Sequence, residues 1–345
     1  MRNTAALRRL AFSSFLVSTA LACGSRTGLF GDENGLGFTS SSGFTSSSGA
    51  TSTSGNITEA GVFFDGGIPV PDDAESTIDA RPVPPDVFRA DCPDANTLLV
   101  YVISDDNELM SFNPDNGQFT TIVKQIKCPA PGYNPFSMAV DRKGTAYILF
   151  TDGQIYRVST ANGACAPTSY ASGQSNFRFF GMGFATRNIF GPQETLYISG
   201  DSENSSSGGI GNGARGLARI DTSNFALTFI GDDPTVDRAE LTGTGDGRLY
   251  AFYANDLDLS GSNIGEVDTQ TGQIIGQRHF DSVDQGTGWA FAFWGGDFYM
   301  FHAPNAGTTT VTRWRPVDNS VATVATAPAG VKIVGAGVST CAPQQ

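Results

Sequence analysis

The sequence predicts an all-β chain: a five-bladed β-propeller closed by its C-terminal strand and preceded by a disordered tether. Three observations predict it. Tyr101, Tyr147, Tyr197, Tyr250 and Tyr299 recur at intervals of 46, 50, 53 and 49 residues. Each lies in a short apolar run, in turn LLVYVIS, TAYILFT, TLYISGD, RLYAFYA and DFYMFHA. Strand-like units at such a period are the signature of a propeller. The third observation is a strand missing before the first tyrosine and present at the opposite terminus.

Each element has its own sequence reason. After every tyrosine strand comes a second strand that runs into a turn: SFNPDNG, YRVSTANG, LARIDTSN, GEVDTQTG and TRWRPVDN. Asn, Asp and Gly gather there because they accept the backbone angles of tight turns. A third strand follows, read as FTTIVK, PTSYA, ALTFIG, IIGQRHF and SVATVAT. A fourth precedes each of the last four tyrosines: SMAVD, FGMGFA, ELTGTGD and WAFAFWG. Its small residues, among them Ala139, Gly181, Gly183, Gly243, Ala290 and Ala292, suit the innermost position, where backbones crowd around the axis. The first tyrosine has only Pro-rich polar sequence before it. The matching strand is VGAGVST, residues 334–340, which completes the first blade from the other end of the chain. Tyrosine-to-turn spacing stretches to 24 residues in the third unit because of the insert at 200–216, so that insert is a surface loop.

Composition narrows the function classes. The 34 acidic and 21 basic residues leave a net charge of -13, which argues against nucleic acid and against an electrostatic membrane partner. The acidity reads first as surface solubility. The repeat occupies 92–345, enough for one large core.

Residues 1–22 read as an export signal. Arg2, Arg8 and Arg9 form its basic part, and 10–22 is an apolar run too short to span a bilayer. Residues 23–91 read as a tether. FTSSSG, FTSSSG and ATSTSG repeat in tandem over 38–55, a composition that buries too little apolar surface to order itself. A stiffer Pro- and Asp-rich spacer follows over 68–91.

Five cysteines leave one odd member, Cys23, at the end of the signal. Cys92, Cys128, Cys165 and Cys341 are then even in number in an exported chain, and disulfides are expected. Three pairings exist. In the ring, Cys92 and Cys341 flank neighbouring strands of one blade at the same end, so their bond would clasp the ring. Such a long loop contributes on the order of 4 kcal/mol by constraining the unfolded chain. Cys128–Cys165 follows by elimination and joins the first two blades, although these two sit nearer opposite ends of their strands. No CxxC or Cys/His spacing suggests zinc.

Motifs for chemistry are sparse. Neither His279 nor His302 stands near a nucleophile motif, and GxSxG, HExxH and the P-loop are absent. Asp141, Asp201, Asp246 and Asp297 end strands, but each also opens a turn, which explains it without catalysis. A glycosidase would need two carboxylates facing one cleft. Asp256, Asp258 and Ser260, followed by Gly261, resemble half of an EF-hand loop, with Val267 where the last ligand would be. Calcium is the one metal this suggests; otherwise no cofactor is expected, and a polar loop between strands is the preferred reading. The working surface is expected on the face that carries the variable loops. It includes Tyr133, Phe136, Arg178, Phe179, Asp201, Glu203, Asp233, Trp289 and His302, with Asp256 and Asp258 beside them. Aromatic and carboxylate groups together suit a carbohydrate or peptide. Phe179 and Trp289 equally suit packing.

Two resemblances complete the reading. Thr19-Ala20-Leu21-Ala22-Cys23 resembles a bacterial lipobox, with Ala20 where leucine is usual. That resemblance implies lipidation of Cys23, and Gly24 in place of aspartate implies the outer membrane. An ordinary signal peptidase would cut at the same bond. Tyr197-Ile198-Ser199-Gly200 with Arg219-Ile220-Asp221-Thr222, and Glu266-Val267-Asp268-Thr269, resemble YVTN-type surface propellers over 95–340. The whole looks like a surface lipoprotein of a myxobacterium-like organism. The resemblance implies a fold and carries no catalytic residue. Two function classes follow: a non-enzymatic binding or scaffold module for a glycan or protein, and alternatively a carboxylate-based hydrolase of carbohydrate, helped by calcium.

Overall fold

The computed structural model describes Cys92 and residues 99–188, 191–200, 216–255, 258–304 and 307–345; within these, the side chains of 237, 238, 255 and 258–260 are left aside. The signal, Cys23 and the tether lie outside the described residues.

The chain forms five four-stranded antiparallel sheets. The first blade pairs β1 (Val100–Ser104), β2 (Leu109–Asn113) and β3 (Gln118–Val123) with β20 (Ile333–Val338). β4 (Pro135–Val140), β5 (Thr145–Phe150), β6 (Ile155–Ser159) and β7 (Cys165–Pro167) form the second. β8 (Phe180–Thr186), β9 (Glu194–Gly200), β10 (Gly216–Ile220) and β11 (Leu227–Gly231) form the third. The fourth holds β12 (Asp237–Gly243), β13 (Leu249–Asn255), β14 (Asp258–Val267) and β15 (Ile274–Phe280). β16 (Trp289–Trp294), β17 (Asp297–His302), β18 (Thr310–Arg315) and β19 (Ser320–Thr326) complete the ring. The C-terminal β20 is the inner strand of the first blade, with Tyr101 opposite Gly337.

The tyrosine period has a packing cause. The apolar side chains form five clusters, one between each pair of adjacent blades. Each repeat tyrosine belongs to the cluster facing the following blade, and all five are buried. The hydroxyls of Tyr101 and Tyr147 are hydrogen-bonded with Thr160 and Thr222, turn residues of that following blade. Because blades cover both faces of a sheet, the tyrosine strands are continuous apolar runs, not alternating ones. The outermost β19 is exposed along most of its length and does carry polar residues.

The inner strands meet backbone to backbone. A Cβ on Gly181 would collide with the carbonyl oxygen of Ala239, and one on Gly243 with that of Phe184. Glycine is what allows β8 and β12 to approach so closely.

Both disulfides join the pairs expected. Cys92–Cys341 has Cα atoms 5.8 Å apart and Cys128–Cys165 5.1 Å apart. The second is within reach because β7 has only three residues. At about 3.3 Å per residue its two ends differ by only about 10 Å, and the 124–134 connection spans the rest. The expected third strand PTSYA is shorter and earlier than read. Pro167 has no N–H to continue the ladder. Tyr170 instead turns inward, 2 % exposed, and its hydroxyl donates to the Phe177 carbonyl at 3.0 Å.

Candidate functional site

Antiparallel pairing sorts the connections onto two faces. We call front the face where the inner strands begin and the tyrosine strands end. Front connections include 124–134, 168–179, 232–236 and 281–288, whereas the back turns 114–117, 141–144, 295–296 and 316–319 are short.

The expected ligand residues that are described follow or precede front connections, but Asp233 reaches the start of β15 in the next blade and they do not form one site. Phe136 is the second residue of β4 and its ring lies 5.1 Å from that of Phe179, over which the Arg178 guanidinium sits at 5.3 Å. Phe136 and Trp289 line one recess, together with Phe180, Ser199 and Glu240. Trp289 opens β16 opposite His302, whose Nε2 lies 3.0 Å from Thr312 Oγ1. Burial holds the His302 imidazole below its ordinary pKa. Asp233 belongs to a different place, between the third and fourth blades. It accepts from the Thr235 N–H at 2.9 Å, the Thr235 hydroxyl at 2.7 Å and the Ile274 N–H at 2.8 Å. Tyr133 is 48 % exposed on the 124–134 connection. Asp201, Glu203 and Asp256 lie outside the described residues.

The residue that sequence reasoning missed is Glu240. It stands on the inner strand β12, and its Oε2 accepts from the Ser137 hydroxyl of β4 at 2.8 Å. The Met182 N–H of β8 also donates to it. One carboxyl therefore ties three blades together across the axis, and burial pushes its pKa well up. A signal was present: a glutamate inside a strand of small and apolar residues, where charge is almost never buried without a reason. Further along the inner strands, Val140, Met182, Leu241, Thr242 and Val338 line a second small recess.

Carboxylates at the back have other partners. Asp141 accepts from the N–H groups of Lys143 and Thr145 at 2.9 and 2.8 Å, closing a turn. Asp246 bonds the Thr244 hydroxyl and the Arg248 Nε. Asp297 takes Arg315 bidentately at 3.0–3.2 Å. Glu194, on β9, accepts from the Arg142 N–H at 2.9 Å and the Thr340 hydroxyl at 3.0 Å, so it links the ends of three blades. Burial, with Asp141 nearby, pushes its pKa up to about 7. Arg142 in turn donates to the Gly191 carbonyl and reaches Cys92 Sγ at 3.6 Å.

From Asp258 onward the half EF-hand segment belongs to strand β14 rather than to a loop. Asp258 pairs with Asn255 at the start of β14, and Ser262 pairs with Phe280. His279, the other histidine, lies against Asn263 Oδ1 at 3.0 Å and Asp281 at 3.1 Å.

No protein-family model matches the chain, and no curated protein sequence does either. Among solved structures, TolB from Acinetobacter baumannii is 14% identical with a TM-score of 0.36, covering 65% of this chain and 51% of that one. A protein of unknown function from Bacteroides thetaiotaomicron is 15% identical, TM-score 0.40, covering 67% and 56%. A gluconolactonase from Xanthomonas campestris is 14% identical, TM-score 0.39, covering 67% and 71%. The chain spans little more than half the length of the first two. The propeller assignment stands on the chain's own strand pairing, and none of these likenesses bears on function.

Proposed function

We propose that the chain is a cell-surface, lipid-anchored propeller that acts as a non-enzymatic binding or scaffold module for a glycan or protein. In this reading, residues 1–22 direct export, Cys23 carries the lipid, and 23–91 hold the 92–345 domain off the outer membrane. The observation that carries it is the front face: a small recess lined by Phe136, Glu240 and Trp289, set among the longer connections. The back carboxylates Asp141, Asp246 and Asp297 are engaged in turns and ion pairs, an arrangement that supports structure rather than hydrolysis.

The test is a panel of glycans and of cell-envelope proteins presented to the full chain and to Trp289→Ala, with carbohydrate hydrolysis assayed with and without calcium. A ligand retained by the parent and lost by the variant is expected. Calcium-dependent hydrolysis abolished by Asp256→Asn would overturn the binding reading in favour of the hydrolase. Palmitate labelling abolished by Cys23→Ser checks the anchor.

A further inference from the structure

The two disulfides sit in opposite surroundings. Cys128 and Cys165 pack against the apolar cluster that contains Ile126, Tyr156 and Val158. Cys92 and Cys341 lie at the back, where Cys92 Sγ is 3.6 Å from Nη2 of Arg142. Arg142 is 4 % exposed, and its Nη1 donates to the Gly191 carbonyl at 2.9 Å. Its backbone N–H is held by Glu194, whose other oxygen takes the hydroxyl of Thr340, the residue before Cys341. A guanidinium is thus fixed beside one sulfur of the clasp.

That placement makes the two sulfurs unequal. A guanidinium stabilises a thiolate, whereas apolar surroundings disfavour one. A disulfide opens fastest when the departing sulfur is the better thiolate. Arg142 therefore marks Cys92 as the sulfur that departs and Cys341 as the one attacked. Cys341 is only half-buried, in the turn after β20, with its N–H held by Ser339 Oγ at 3.1 Å. A small thiol can approach it, while the buried guanidinium stays shielded from that reagent.

We infer that Cys341 is a thiol-exchange site: a thiol reductant attacks Cys341 Sγ, and Cys92 departs as a thiolate beside Arg142. In the first step the reagent's thiolate bonds to Cys341 Sγ, the Sγ–Sγ bond breaks, and its electron pair leaves on Cys92. In the second, another thiolate of the reagent attacks the reagent sulfur of that mixed disulfide, and Cys341 departs. The protein gains two electrons and the reagent is oxidised to its own disulfide. The reagent's two thiol protons pass to solvent, from which Cys341 takes one, and Cys92 keeps its charge beside Arg142. The closing strand β20 then stays paired with β1 without the covalent clasp.

The experiment exposes the full chain briefly to reduced glutathione without denaturant. The reaction is quenched with acid, free thiols are capped with N-ethylmaleimide, and the cysteines are mapped by peptide mass spectrometry. Cys92–Cys341 is expected to open at least about tenfold faster than Cys128–Cys165, with glutathione on Cys341 and maleimide on Cys92. Arg142→Gln is expected to leave glutathione on both sulfurs in comparable amounts, a change of regiochemistry that a purely structural role would not produce. Should that variant fail to fold, as judged by circular dichroism, the reduced parent decides instead: Cys92 is expected to alkylate at lower pH than Cys341. The inference is overturned if both disulfides resist glutathione or open at equal rates, or if glutathione is found chiefly on Cys92. It is equally overturned if folded Arg142→Gln keeps the parent's regiochemistry, or if Cys341 alkylates at the lower pH.

Discussion

At the back of the ring, Asp141 and Asp246 meet N–H and guanidinium groups within their own turns, Asp297 meets Arg315 on the adjacent strand, and the Cys92–Cys341 bond sits beside Arg142. At the front, the connections lengthen and one carboxyl, Glu240, is held by neutral donors beside aromatic rings. The same residue type thus serves opposite ends differently. Satisfied locally, a carboxylate stabilises a turn; buried among neutral donors near the axis, Glu240 is held toward its protonated form. The back is the part that closes the ring, and the front carries the longer connections on which the proposed binding surface would lie.

The comparison breaks most easily at the clasp. Cys92→Ser with Cys341→Ser opens a loop of 249 residues and is expected to cost about 5 kcal/mol. Opening the 37-residue loop of Cys128–Cys165 is expected to cost about 4 kcal/mol. Denaturant unfolding under oxidising conditions checks both, and an unchanged midpoint in the first variant would remove the clasp from the account.

Crowding the axis comes next. Gly181→Val is expected to destabilise by about 3 kcal/mol, because its Cβ meets the Ala239 backbone, which cannot rotate away. The same substitution at Gly132, a front loop position with nothing around its Cβ, should be far milder, although its positive φ keeps it from being neutral. Equal losses at the two sites would contradict a close-packed axis.

The back network also predicts a pH dependence. Glu194 ionises near 4.5 in the unfolded chain and near 7 in the folded one. Between those values the folded state holds the extra proton, so stability falls as pH rises and levels off above about 7. The loss is roughly 3–4 kcal/mol by the conversion of pKa into free energy. Glu194→Gln should flatten that limb of the stability profile; a profile as steep as the parent's would assign the effect elsewhere. Glu240 is shifted in the same direction and adds to it.

Trp289→Ala has the smallest expected effect on folding, within about 1–2 kcal/mol, because the residue is only half-buried. Its effect on ligand capture should be large. A variant that loses stability and keeps its ligand would make Trp289 part of the core and move the working face elsewhere.

What was legible in the chain was whatever a strand needs from its own blade and the next. The tyrosine period, the small inner strands, the turn residues and the closing strand are local patterns, because each blade solves the same packing problem against its neighbour. Two local readings went astray for local reasons. PTSYA reads as a full outer strand until Pro167 cuts it short, and the polar loop read over Asp256 to Ser262 is strand from Asp258 onward. The sequence by itself determined the architecture and the strand that closes it. Only the tertiary structure decided that Glu240 crosses the axis to Ser137, that Glu194 joins three blade ends, and that Cys128 reaches Cys165. Each of these depends on which blade lies opposite and how closely the backbones meet, and distances of that kind are set by the closed ring rather than by any segment of it.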